Sequence, residues 1–212
     1  NLDRYFALAR GYQKDGIDIT AMEMTKWFDT NYHYIVPEFT KNQTFSILVN
    51  KPLQEYNLAK QHGFDTKPVL IGLVTYLLLG KEKEEGFNRL DLAERLLPVY
   101  IQLVQSLVDA GAKTIQIDEP YLVLDLPAGA AEVYRKVYGE LKKQFTNTEF
   151  ILTTYFGALD NNTELALSLP FDVFHIDLVR ATAQLDNILK ALPANKKLSL
   201  GVVNGRNIWK NN

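Results

Sequence analysis

From residue 44 onward the chain alternates two kinds of hydrophobic pattern. Short runs dense in Val, Ile, Leu and Phe stand at 45–49, 69–75, 114–117, 150–154, 173–176 and 198–203. Between them, apolar positions recur every three or four residues, the mark of an amphipathic helix. The clearest such segment spans 89–109, with apolar residues at 90, 93, 96, 97, 100, 101, 104, 107 and 108, and ends at Gly111. Further helices are predicted over 52–62, 129–145, 164–167 and 184–191. The first of these closes at Gly63, whose missing Cβ permits a left-handed cap. Strands this rich in apolar residues imply burial on both faces, hence parallel pairing with helices outside. The fold class expected is α/β, a (β/α)8 barrel of TIM type. A complete barrel needs about 250 residues and eight strands. With 212 residues and six or seven candidate strands, this barrel should be incomplete. A doubly wound open sheet would want a glycine-rich phosphate turn after an early strand, and no GxGxxG occurs. No linker or low-complexity stretch divides the chain, so residues 1–212 read as one partial barrel domain.

Residues 21–39, AMEMTKWFDTNYHYIVPEF, follow neither period. Six aromatic rings, counting His33, are packed among Glu23, Lys26, Asp29, Asn31 and Glu38. Large apolar faces with a few polar tips are what a pocket wall needs, although an aromatic-rich junction packed onto the domain would look the same.

Composition narrows the partners. Apolar residues make up 47% and charged residues 23%, ordinary for a globular protein. A net charge of −2 gives no reason to expect nucleic acid or an anionic membrane. The longest apolar run, 69–79, is too short to span a bilayer. With zero cysteine there is no disulfide and no thiolate metal site, which fits a reducing cytoplasm.

In such barrels chemistry collects at the C-terminal strand ends. Those ends carry Asp118 and Glu119, then Thr153 to Tyr155, then Asp177 with Arg180, then Asn204 to Arg206. Consecutive strand side chains point to opposite faces, so at most one of Asp118 and Glu119 faces a pocket. The other option for this pair with Pro120 is a hydrogen-bonded turn anchoring the strand end. His33, His62 and His175 are too dispersed for a local ligand cluster, and His175 reads as a satisfied barrel histidine. No serine sits beside a candidate base, and there is no Gly-x-Ser-x-Gly elbow. Lys26 is a lone cation among aromatic residues, able to meet an anion or merely to lay its stem over Trp27.

The motifs EMTKWFDTNYHY within 21–39, KPVLIGLVTYLLLGK at 67–81, IQIDEPYLVLDL at 115–126, TTYFGAL at 153–159, HIDLVR at 175–180 and LGVVNGRNIWKN at 200–211 occur in this order. Together they resemble the N-terminal domain of cobalamin-independent methionine synthase, the methyltransferase acting on 5-methyltetrahydropteroyltriglutamate and homocysteine. The resemblance covers essentially the whole chain. It implies that the family's first strand lies before residue 1, that the barrel's end lies beyond 212, and that a second, zinc-binding catalytic barrel belongs to the same polypeptide. The family's zinc uses two cysteines, a histidine and a glutamate. The matching stretch here is LTTYFG, without sulfur or imidazole, and the glutamate corresponds to Asp177. No metal ligands and no catalytic residues are therefore expected in this chain, which should be inactive alone. The family's motif lysine, associated with the folate polyglutamate tail, corresponds to Lys26. The family's other tail-binding run, Arg-Glu-x-Lys, is absent. Two alternatives stay open: a non-catalytic structural or interaction barrel, and a self-standing enzyme using Asp118 or Asp177 with Arg206.

Overall fold

The computed structural model describes residues 2–210, so the last residue of the 200–211 motif lies outside it. Helix α1 (Leu2–Arg10) leads into an antiparallel hairpin of β1 (Tyr12–Lys14) and β2 (Ile17–Ile19). A second antiparallel pair follows, β3 (Met24–Lys26) with β4 (His33–Ile35), and then the short β5 (Glu38–Phe39). After α2 (Lys51–Gln61) the alternation becomes regular. Its members are β6 (Val69–Ile71), α3 (Leu73–Leu78), β7 (Lys81–Glu82), α4 (Ala93–Asp109), β8 (Thr114–Asp118) and α5 (Ala130–Gln144). They continue with β9 (Glu149–Thr153), α6 (Thr163–Ser168), β10 (Val173–Asp177), α7 (Leu185–Ala191) and β11 (Lys197–Gly201).

Five strands form one parallel sheet in the order β11-β10-β9-β8-β6, so strands joined by a helical crossover lie side by side. One face of this sheet carries Leu70, Ile115, Ile117, Phe150, Leu152, Phe174 and Ile176, all buried in the core with residues of the helices. That is the helix-covered outer face of an incomplete (β/α) barrel. The inner face is different in kind. Gln116, Asp118, Thr153, His175, Asp177 and Ser199 share it, set by the pairings Asp118↔Thr153 and Thr153↔His175↔Ser199. Parallel pairing with helices outside holds, but uniform apolar burial on both faces does not. The inner face is polar and partly open, with Val69 48% exposed.

Three boundaries depart from the pattern. The sheet has five parallel strands, not six or seven. Residues 45–49 form an irregular connection whose Phe45 ring packs edge-on against Phe39 at 6.2 Å, giving that run an apolar role without a strand partner. The run 69–75 is a strand only to Ile71, because the next residues turn into α3. The cause is Glu119, at the end of the neighbouring strand. Its carboxylate accepts from the Val74 and Thr75 amides at 3.1 and 2.8 Å, the free N–H groups of the first turn of α3. Gly72 precedes that helix and offers no capping side chain, so the cap comes from a residue 47 positions later in sequence. A Cβ on Gly72 would land on the Glu119 carboxylate.

Candidate functional site

The C-terminal strand ends gather under residues 27–35, which fold over them. A tight turn shapes this segment. Trp27 N–H donates to the Tyr32 carbonyl at 2.7 Å, and the Thr30 hydroxyl donates to the Trp27 carbonyl at 2.7 Å. Phe28, within the turn, has φ 50°, and Phe156, beyond the end of β9, has φ 77°. Such values are costly for bulky side chains and persist only where the surroundings impose them. The two rings pack on each other at 5.3 Å. Their chain neighbours Trp27 and Tyr155 both line one cavity of about 350 Å³.

That cavity is aromatic on most sides and acidic at one point. Trp27, Tyr34, Tyr76 and Tyr155 supply rings, with Trp27 and Tyr34 perpendicular at 88° and 5.7 Å apart. Asp118 supplies the carboxylate. Gln116 Nε2 donates to its Oδ1 at 2.7 Å and the Tyr155 hydroxyl to its Oδ2 at 3.1 Å. Burial pushes the Asp118 carboxyl above the ordinary aspartate range, against the pull of those two donors and of more distant Lys67. Burial and the Asp118 charge push the Tyr155 phenol far up, so it stays a donor.

Glu119 faces the other way, as the alternation of strand side chains requires. It is fully buried, and beyond the two helix amides it accepts from the Thr75 hydroxyl at 2.5 Å, the Tyr134 hydroxyl at 3.1 Å and the Tyr138 hydroxyl. Burial raises its pKa, and the donors from Thr75, Tyr138 and Val74 oppose that shift. The two carboxylates are therefore not an acid/base pair. Asp118 faces a cavity and Glu119 anchors the strand end to α3.

A second cleft, about 930 Å³, opens between residues 30–32 and the ends of β10 and β11. Asp177 lines it but is occupied, accepting from the backbone N–H of Phe156, Val179 and Arg180 at 2.9, 2.9 and 3.0 Å. Arg206 is held by Asp29, donating to its carbonyl at 2.7 Å, while Arg180 pairs with the same Asp29 carboxylate. His175 Nδ1 sits 2.8 Å from the Ser199 hydroxyl, and burial with Lys67 keeps its pKa low, so it is a satisfied neutral histidine. Asp118 lines one cleft while Asp177 and Arg206 share the other, so of the two alternative pairings only Asp177 with Arg206 falls in one cleft, and both of its members are already engaged.

The donor set does not fit zinc. The strand ends offer Thr153, Thr154 and Tyr155 with an Asp177 already filled by three amides, and zinc of the catalytic kind draws on thiolate and imidazole. Among the described residues no group of three His, Cys, Asp or Glu is placed to hold a metal. No described helix is long and apolar enough to cross a membrane.

Lys26 lies on β3 opposite His33, exposed, and lines neither cleft. Among the described residues it makes no ion pair. Of the aromatic stretch 21–39, Trp27, Tyr34, Ile35 and Pro37 line the first cavity. The Asp29 clamp and the Tyr76 wall are not visible in sequence, the first because its partners lie some 150 or more positions away, the second because Tyr76 reaches the cavity only through the turn into α3.

The comparisons agree with this architecture. A family model described as the cobalamin-independent synthase N-terminal domain matches residues 1–212. A 5-methyltetrahydropteroyltriglutamate–homocysteine methyltransferase of Flavobacterium johnsoniae is 57% identical over 213 residues, covering 100% of this chain and 28% of the relative. The enzyme of the same name from Coxiella burnetii is 48% identical over 209 residues, covering 99% of this chain and 27% of its own length. The chain thus spans little more than a quarter of these relatives. A crystal structure from Listeria monocytogenes, named for vitamin-B12 independent methionine synthase, superposes with TM-score 0.63 at 19% identity, over 82% of this chain and 58% of that one. At that identity the likeness speaks for the fold. Matched along its whole length by the family model, the chain belongs to the cobalamin-independent synthase N-terminal domain family.

Proposed function

We propose that this barrel is the N-terminal part of a cytoplasmic methyltransferase moving a methyl group from 5-methyltetrahydropteroyltriglutamate to homocysteine, giving methionine. Its own task is to hold the folate's glutamate tail at Lys26 and to scaffold a second barrel in the same polypeptide. That second barrel carries the zinc, whose charge lowers the pKa of the homocysteine thiol. The relatives' names support the reaction, and their much greater length leaves room for the second barrel.

One observation carries the tail-binding role. Lys26 is an exposed cation on β3, next to Trp27 of the cavity wall, with no acidic partner among the described residues. Nearby acids are engaged elsewhere: Glu23 with Lys81, Asp29 with Arg180 and Glu38 with Lys83. A run of ligand carboxylates would supply the missing counter-charge. Calorimetric titration of a polypeptide carrying both barrels with folate triglutamate and monoglutamate tests this. Tighter binding of the triglutamate is expected. Equal affinities would leave the barrel a scaffold only.

A further inference from the structure

The aromatic cavity over Asp118 is not lined by Lys26. We propose that it binds a small organic ammonium ion, with Asp118 as counter-charge and the rings of Trp27, Tyr34, Tyr76 and Tyr155 as walls. The faces of such rings are electronegative and attract a cation, most strongly when water is excluded. Trp27 and Tyr34, in edge-to-face contact with centroids 5.7 Å apart, hold each other in place along one side of the cavity. The volume of about 350 Å³ suits an ammonium group with a few carbons.

The carboxylate selects charge. Asp118 accepts one neutral donor on each oxygen, from Gln116 and Tyr155, and forms no ion pair among the described residues. Each oxygen has a second acceptor position for an N–H or a polarised N–CH3 group. Lys67 is the cation whose charge reaches Asp118, and it acts from beyond hydrogen-bond distance. An anion would meet the carboxylate directly, and a neutral apolar guest would leave it uncompensated.

The site is also held ready. The φ angles of 50° at Phe28 and 77° at Phe156, with their rings in contact, fix the chain directions that aim Trp27 and Tyr155 at the cavity. Tyr34 is fixed by donation to the Leu79 carbonyl at 3.2 Å, and Tyr155 by its bond to Asp118. A box whose walls are set before the guest arrives loses less on binding.

The experiment uses Trp27 fluorescence in a Trp209→Phe background, since Trp209 is the other tryptophan and is 75% exposed. Choline and its neutral carbon isostere 3,3-dimethylbutan-1-ol are titrated in parallel. Choline should saturate and bind about tenfold more tightly than the alcohol, a preference drawn from the charge alone. Asp118→Asn should remove that preference, and Tyr76→Leu, which keeps the carboxylate, should reduce it by several-fold. Equal binding of the two probes, no saturable response to choline, or an unchanged preference in Asp118→Asn would each overturn the proposal. The comparison of probes on the parent protein stands even if a variant fails to fold.

Discussion

Glu119 shows how much one side chain can organise. Five donors converge on its two oxygens, two of them the backbone N–H groups of Val74 and Thr75. Glu119→Gln keeps the shape but turns an acceptor into an NH2 facing donors. With at least two buried groups left unpaired, the loss should be roughly 2–4 kcal/mol, at about 1–3 kcal/mol each. Urea unfolding of the two proteins checks it, and a change under about 0.5 kcal/mol would contradict the capping role. Gly72→Ala should act on the same contact from the other side. The added methyl displaces the carboxylate, and overpacking of this kind costs about 1–3 kcal/mol. Because both substitutions break one contact, the double variant should lose less than the sum of the singles, a non-additivity that a thermodynamic cycle measures directly.

At the scale of elements, the segment from β3 to β4 is fastened to the sheet ends by two different means. The Phe28 and Phe156 rings pack together, and Asp29 ties Arg180 and Arg206 to the turn. The Asp29 pairs are partly exposed, with the carboxylate side chain 44% accessible, so they contribute little to global stability. Asp29→Ala should change unfolding free energy by less than about 1 kcal/mol. It should nevertheless loosen the turn locally, because local opening is set by the few contacts that hold a segment. Limited proteolysis should cut within residues 27–33 faster in the variant, and an unchanged cleavage pattern would show that ring packing alone holds the turn.

Element boundaries were legible wherever pattern and local cause coincided. Helix α4 follows the apolar spacing from 93 to 109, and Gly63 and Gly111 take left-handed φ values of 81° and 100° at the helix ends. The strand predicted over 69–75 ends at Ile71 because its terminator is Glu119, a partner no local window contains. The site was legible in outline for a similar reason. Strand-end residues could be named one by one, and alternation put Asp118 and Glu119 on opposite faces. What those residues meet depends on long-range pairing. Three backbone amides occupy Asp177, and Asp29 holds Arg206; the Phe156 amide and Asp29 lie outside any local stretch of sequence around their partners.

For the molecule as a whole, the proposed function assigns the methyl-transfer chemistry to a second barrel, since this chain has no cysteine to offer a metal. The purified chain should hold far less than one zinc per molecule after dialysis, measured by elemental analysis, and should not transfer methyl from folate to homocysteine. One zinc per chain, or turnover above a chelator-treated blank, would contradict that division of labour. The other half of the division rests on Lys26, and one measurement bears on it most directly. In a polypeptide carrying both barrels, Lys26→Ala should weaken triglutamate folate by about 1.5–3 kcal/mol, the range for a hydrogen bond to a charged group. That corresponds to roughly 10- to 100-fold in affinity. Added salt should shrink the effect, because the contact is exposed, and the rate at saturating substrate should hold while KM rises. Monoglutamate folate should lose much less. Equal losses for the two ligands, or a lowered melting temperature with no dependence on tail length, would return Lys26 to the aromatic wall beside it.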